Sequence, residues 1–551
     1  MSNASLELGG GKWAAKEGNL LGYASSTSSS KYVPREFSFT RAADIAATRI
    51  NSSGLIEKYR ENLAKNTDWE GASLDTAPTD YTGYLLSNGT FNTTSTEGQI
   101  RFTTDSSSRA IVITSNISET GIFTQSVYVD EVYTSLAVID VINRSSSATA
   151  IGYYEDGVEI TAYTNVQAGK RYSILWNKTG AASFRFGSGV NSSLAGDIVL
   201  SRPQIERGLV ATELIVSPVG STGKAGVLDN LPRIDYTGGT ASLLLEPQRT
   251  NLIPHSEYFG VWQIQPNTTT AELTQETLSP EGLYNAYKFA GDGSSGFYKA
   301  SVGTYGGENT KSIYLKAAVN GTQVVLKDPN QTVTTKTLTL TTDWVRYELT
   351  ETQTSSFGIW IDDIPSDPIY AWGAQVEEGS YATSYIPNHS GGSVTRNTDV
   401  TLSLTNAGAD GLINNYNTTI FINLKKIISV NNVIRFVTLF PNGGANNPRV
   451  LLYGNMSNAL VQYRVTGQAD QSITSPYNRD EVNKIAIRIS GTSLTMFHNG
   501  EEVNTITIVQ GDDLEYLSLA ESAATDSGYL LNQLLSFPTA LSDDECIALT
   551  S

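Results

Sequence analysis

Gln375-Val376-Glu377-Glu378-Gly379-Ser380-Tyr381-Ala382-Thr383-Ser384-Tyr385-Ile386 has an altered counterpart 171 residues earlier, Gln204-Ile205-Glu206-Arg207-Gly208-Leu209-Val210-Ala211-Thr212-Glu213-Leu214-Ile215. The shared pattern is Q-[IV]-E-[ER]-G-x-x-A-T-x-x-I. An ordered match of this length marks two copies of one module. Polar residues alternating with apolar ones and ending at a glycine fit a closing strand that runs into a turn. Gln204, Glu206 and Gly208, with Gln375, Glu377 and Gly379, therefore read as fold-holding residues. The two glutamates are placed to accept backbone N–H groups or to meet an arginine. A ligand site would sit on loops, where sequences diverge faster.

Working outward, Arg60-Glu61-Asn62-Leu63 opens the first copy and Arg249-Thr250-Asn251-Leu252 the second. Midway stand Ser126-Val127-Tyr128-Val129 and Ser312-Ile313-Tyr314-Leu315, whose alternation predicts core strands. The spacing fits one β-sandwich per copy, over residues 62–217 and 251–390. Between the copies, Leu243 to Leu245 reads as a buried strand that packs with residues 35–58. Ser390-Gly391-Gly392-Ser393 is a linker signal, and residues 396–551 form a third unit. Within it Asn499-Gly500 predicts a tight hairpin. Ser542 with Glu545 predicts a capping box on a short helix. Residues 1–34 are Gly- and Ser-rich, with a Ser tract at 25–30 and apolar patches around Trp13 and Leu20. They read as an extended arm that orders on another protein's surface.

Composition agrees with an all-β chain. Charged residues make up only 17% of the 551, and 48 glycines serve turns. The net charge of −18 repels phosphate backbones and argues against nucleic-acid binding. No apolar run is long enough to predict membrane insertion, and the residues after Met1 lack signal-peptide regions. The lone Cys546 forms no intrachain disulfide and reads as a small buried apolar residue. With histidine only at 255, 389 and 498, no Ser-His-Asp, Cys-His or histidine-rich metal pattern appears. Carboxylate pairs such as Asp512-Asp513 and Asp543-Asp544 sit in turn or capping contexts, not in a glycosidase arrangement.

Three stretches carry a family resemblance: Leu244-Leu245-Glu246-Pro247-Gln248-Arg249-Thr250-Asn251-Leu252; Trp372-Gly373-Ala374-Gln375 through Ile386-Pro387; and Phe39-Thr40-Arg41 through Gly54-Leu55-Ile56-Glu57 with Leu231-Pro232-Arg233-Ile234-Asp235-Tyr236. They resemble structural proteins of tailed-bacteriophage virions, namely fibre, appendage or decoration subunits. The two modules look like carbohydrate-binding-module jelly rolls. The third unit resembles a concanavalin A-like (laminin G-like) sandwich through Phe497-His498-Asn499-Gly500 and its Phe537-Pro538 ending. The resemblance implies an all-β tandem of β-sandwich (jelly-roll) domains behind an N-terminal virion-attachment segment, with the first module inserted so that it splits a connecting β segment into residues 35–61 and 218–250. It also implies display on the particle exterior, contact with capsid, portal or tail proteins, and a homo-oligomer, a trimer by analogy with fibres. Fold does not fix ligand.

Host-surface glycans are the expected partner, because linked weak modules gain avidity. Sugar binding needs exposed aromatic faces flanked by amides and carboxylates. Candidates are Trp69, Tyr81 and Tyr84 in the first module; Trp262, Phe297, Tyr298 and Trp360 in the second; and Tyr453 and Tyr463 in the third. The competing reading for each is a core aromatic. No cofactor is expected, save that Asp362-Asp363 offers oxygen ligands for Ca²⁺, against the plainer reading as a solvated loop. Two other functions compete: a purely architectural spacer, and a glycan-degrading enzyme.

Overall fold

The computed structural model describes residues 4–25, 32–41, 45–144, 147–269, 271–301, 303, 306–329, 331–353, 357–399, 402–427, 434–441, 450–455, 457–465, 468–511, 513–519 and 528–551. They form antiparallel β domains in tandem, with two short α-helices, a single turn at Val138–Val141 and two turns at Asp543–Thr550.

The first module lays a four-stranded sheet on a seven-stranded one, and the second stacks two five-stranded sheets. Alternation works as the sequence predicts. Val127 and Val129 point into one core, Ile313 and Leu315 into the other. In both modules the mid-strand pairs with the strand of the repeated motif, Gly121–Thr134 with Gly196–Arg207 and Gly307–Ala317 with Ile369–Glu378. A register shift falls at the equivalent place in each, between Ser126 and Tyr128 and between Ser312 and Tyr314. Such a bulge re-aims the strand, and its recurrence shows that the two copies share backbone detail as well as pattern.

The modules are not beads on a linker. Ile122, Tyr154, Leu175 and Leu209 of the first bury into the same cluster as Leu252, Phe259 and Tyr287 of the second. The Ile122 N–H donates to the His389 carbonyl (2.9 Å), which pins the chain leaving module two against module one. Between them, Thr48–Ile50, Ile56–Asn62 and Gly223–Gly226 make a small three-stranded sheet. The two halves of the split segment meet there and again where the Ile50 N–H donates to Asp235 (2.8 Å).

The third unit differs most from the sequence reading: its strands hydrogen-bond round into one closed barrel. Its central strand Tyr529–Phe537 pairs with Asn417–Ile427 on one side, and with Leu6–Gly9 and Ser242–Leu245 on the other. Leu6–Gly9 pairs on to Asn19–Ser25, then Tyr32–Ser38, which joins Leu402–Leu404 in the opposite layer. Leu6, Leu8, Leu20, Phe37 and Phe39 share one core with Leu243, Ile422 and Leu534. The expected extended arm over 1–34 is thus corrected for its described residues: they are strands of this unit. Residues 396–551 alone do not close the unit either. The reason is burial: Tyr529–Phe537 has a free edge and an apolar face, and the N-terminal strands extend its sheet while their Leu and Phe residues fill the shared core. The Ser tract at 26–30 lies outside the described residues.

Local predictions hold in this unit. Asn499 and Gly500, at φ 47° and 88°, form the two-residue turn between Ser493–His498 and Glu501–Thr507. The Ser542 hydroxyl accepts from the Glu545 N–H, and the Glu545 carboxylate accepts from the Ser542 N–H. Cys546 is buried among apolar residues, which pushes its thiol up to about 11.

Candidate functional site

The repeated motif is a clasp. Gln375 accepts the Ile386 N–H (2.7 Å) and Gln204 the Ile215 N–H (2.8 Å). Glu377 accepts both the N–H and the hydroxyl of Thr383, as Glu206 does from Thr212. Asn251 donates to the carbonyls of Ala374 and Ile386 and accepts from Ile253 and Val376; Asn62 makes the same four bonds to Pro203, Ile215, Ala64 and Ile205. Arg346 ties the Thr383 carbonyl to Ser312, and Arg171 ties Thr212 to Ser126. Gly208 and Gly379 both take φ 120°, which favours glycine. The motif therefore closes each sandwich. The sequence reading missed Arg171 and Arg346 because no local pattern marks them.

The stretches that carry the family resemblance converge on a second buried cluster. Glu246 accepts from Arg233 (2.8 Å), Arg396 (2.6 Å) and the N–H and hydroxyl of Ser384. Asp399 accepts from Arg41 (3.0 Å), Arg233 and the Glu246 N–H (2.9 Å). All five charged side chains are buried, at 2% exposure or less. Burial would raise the Glu246 carboxyl, but Arg396 and Arg233 outweigh it and hold it at about 2. This cluster locks the N-terminal strands, the connecting segment and module two together. Its chemistry is architectural.

The glycan candidates divide sharply. Trp69 is core, packed edge-on against Phe102 and Tyr81. Trp262 and Phe297 are also core, in a cluster with Phe259 and Phe289. Tyr463 is buried in the third core. These four offer no exposed ring, and that expectation is corrected. Each lies on an inward-facing strand position or at an inner loop where its apolar area is worth more buried. Tyr81 is half-buried with its hydroxyl enclosed. Tyr84 is 44% exposed beside Leu85 and Leu86 on an edge strand. Tyr453 is half-buried with Arg435 and Leu460 as its strand neighbours.

Tyr298 and Trp360 are brought together. They face each other on Phe297–Ala300 and Gly358–Asp362, with ring centroids 5.4 Å apart at 41°. The row continues through ladder partners to Gln263, which is exposed, and to Lys327 on Gln323–Asp328. These residues stand on the outer face because Phe297, Leu326 and Ile361, one position away, fill the core. Four strands at about 4.8 Å spacing give the row a width of roughly 14 Å. The Lys327 ammonium lies 3.8 Å from the Trp360 ring centroid and is ion-paired to Asp362. The Trp360 N–H is turned inward and buried, so the indole presents carbon to solvent. Asp363 is exposed at the strand end. Asp362 is committed to Lys327, and among the described residues no group of three or more His, Cys, Asp or Glu could hold a metal ion.

Among the described residues, module one has no such platform. Three residues after the buried Phe357 comes Trp360; three after the buried Phe184 comes Gly187, whose ladder partner is Ile111 where module two has Tyr298.

The cavities lie at the seams. One of about 260 Å³ is lined by Lys58, Arg60, Glu61, Arg207 and His389. Its charges are already paired: Lys58 with Glu257 (2.8 Å) and Glu281 (2.7 Å), and Arg207 with Glu61 (2.9 Å). Burial pulls Lys58 down to about 8 and, with Lys58, Arg60 and Arg207 nearby, His389 to about 4. His498 bonds Ser475 (2.8 Å) and Asn483 (3.2 Å), but all three are buried, so this is internal bonding and no nucleophile site.

No protein-family model matches the sequence, and no curated relative does. Solved structures with some likeness are carbohydrate- and receptor-binding β-sandwich domains. The Ruminococcus gnavus IT-sialidase CBM40 bound to α2,3-sialyllactose is 20% identical, over 25% of this chain and 83% of that one, with a TM-score of 0.22. The botulinum neurotoxin serotype D binding domain is 15% identical over 27% of this chain, TM-score 0.22; the binding domain of Paraclostridial Mosquitocidal Protein 1 is 14% identical over 27%, TM-score 0.23. The chain spans 39% and 40% of those two structures. Likenesses at these scores carry no weight for function.

Proposed function

We propose that this chain is a structural protein of a tailed-phage particle that adheres to host-surface glycans through the outer sheet face of module two. The observation that carries the adhesion reading is the Tyr298–Trp360 pair, set across adjacent strands with the Gln263 amide beside it. Stacked sugar C–H groups need carbon-rich ring faces held rigid, and a strand row supplies them at little entropic cost. Module one, with Gly187 and Ile111 at the matching positions, serves as architecture. The particle reading is supported by the resemblance and by the role of its residues: Arg41, Arg233 and Glu246 build the buried cluster that fixes the domains. The reading is of a binding protein, not a catalyst. A homo-oligomer would raise avidity further.

A glycan array probed with the full chain and with Trp360→Ala tests adhesion. Signal lost in the variant, with its melting point unchanged, is the expected result; equal signal from both would reject the platform. Antibody labelling of purified particles in electron microscopy tests the location, and particles lacking the epitope would reject it.

A further inference from the structure

We infer that the Trp360 platform selects uncharged glycans over acidic ones. This rests on the adhesion reading above. The lysine of the platform is placed as a carboxylate-binding lysine would be, but it is spent. Lys327 is ion-paired to Asp362, and the two side chains are only 14% and 10% exposed. The pair is neutral and lies against the indole instead of projecting to meet a ligand anion. Asp363 follows directly, exposed, and adds negative charge at the end of the strand.

The placement has a second effect. A lone ammonium against the indole would draw electron density toward itself and weaken the attraction of the platform's rings for sugar C–H groups. Asp362 offsets that charge, so the ring keeps its attraction for C–H donors. The net charge of −18 opposes polyanionic ligands at longer range as well. Selectivity here comes from a repulsive element and a cancelled attractive one.

The experiment is calorimetric titration of the full chain at low ionic strength. Maltohexaose, cellohexaose and chitohexaose are the neutral probes; hyaluronan and polygalacturonate hexasaccharides are the acidic ones. At least one neutral probe binds, each acidic probe binds at least tenfold more weakly, and Trp360→Ala weakens the neutral probe at least tenfold. Asp362→Asn frees the ammonium: the neutral probe weakens and an acidic probe tightens at least tenfold. The double variant Lys327→Met/Asp362→Asn, which removes the charge altogether, restores the neutral preference and guards against misfolding of the single variant. Acidic probes that bind the native chain as tightly as neutral ones, through Trp360, overturn the selectivity and leave the platform standing. No binding by any probe, or binding indifferent to Trp360→Ala, overturns the platform and the selectivity with it.

Discussion

Replacing Glu246 by glutamine removes one negative charge from a buried cluster and keeps its shape. The native carboxyl is held at about 2 against an ordinary 4.5. A tenfold change in proton affinity is worth about 1.4 kcal/mol, so the folded site, net of burial, favours the charged form by about 3 kcal/mol. In the variant, Arg233 and Arg396 keep their burial with Asp399, and Glu377 near Arg396, left to oppose them, and breaking such a cluster costs about 3–5 kcal/mol. Urea unfolding at pH 7, followed by near-ultraviolet circular dichroism, should show that loss. The pH dependence is a sharper test. The carboxyl is depressed in the folded state, so its contribution is complete above about 4.5 and disappears as pH falls toward 2. Native protein loses stability through that window, and the variant has a shallower slope there. A loss under about 1 kcal/mol, or matching slopes, would refute the reasoning.

Leu8→Ala empties a site buried in the C-terminal core and should cost about 2–5 kcal/mol, read as early proteolysis within residues 402–551. Asn251→Ala removes four buried bonds and should cost about 3 kcal/mol in a thermal melt of module two, with Asn62→Ala doing the same to module one. Burial holds His255 and His389 at about 4, below their ordinary 6.5, so the unfolded chain binds the extra protons between those values. Stability should fall as pH drops from 6.5 toward 4, and His389→Gln should flatten that fall in urea titrations.

Much of the fold was legible because it depends on periodicity. The paired mid-strands, the two closing motifs, the Asn499-Gly500 turn and the Ser542 cap are local patterns with local causes. The N-terminal strands were not legible. Leu6 and Leu8 alternate over too few residues to signal a strand, and the strand on their other edge lies more than 500 positions away, as in the Ser5 hydroxyl bond to the Ser536 carbonyl (2.8 Å). The site was half legible. Tyr298, Trp360 and Asp362 could be picked by type, but so could Trp69 and Phe297, and only the direction of each strand face separates them. Lys327 gave no sign of its role, since a lysine in an alternating strand reads as an ordinary solvated residue.

The pairing of Leu6–Gly9 with Tyr529–Phe537 sets an order of events at the ribosome. Synthesis at about 5–20 residues per second puts those strands roughly half a minute to two minutes apart. Residues 62–217 and 251–390 emerge and close their own clasps in that interval. Leu6, Leu8, Leu20 and Phe37 wait with their apolar faces uncovered until Tyr529–Phe537 arrives. The third unit is therefore built from strands made more than 500 residues apart, and the nascent chain carries an open sheet edge throughout the interval between them. Ribosome-bound intermediates truncated before residue 529 should accordingly recruit holding chaperones at their N-terminal strands, while both modules already resist protease.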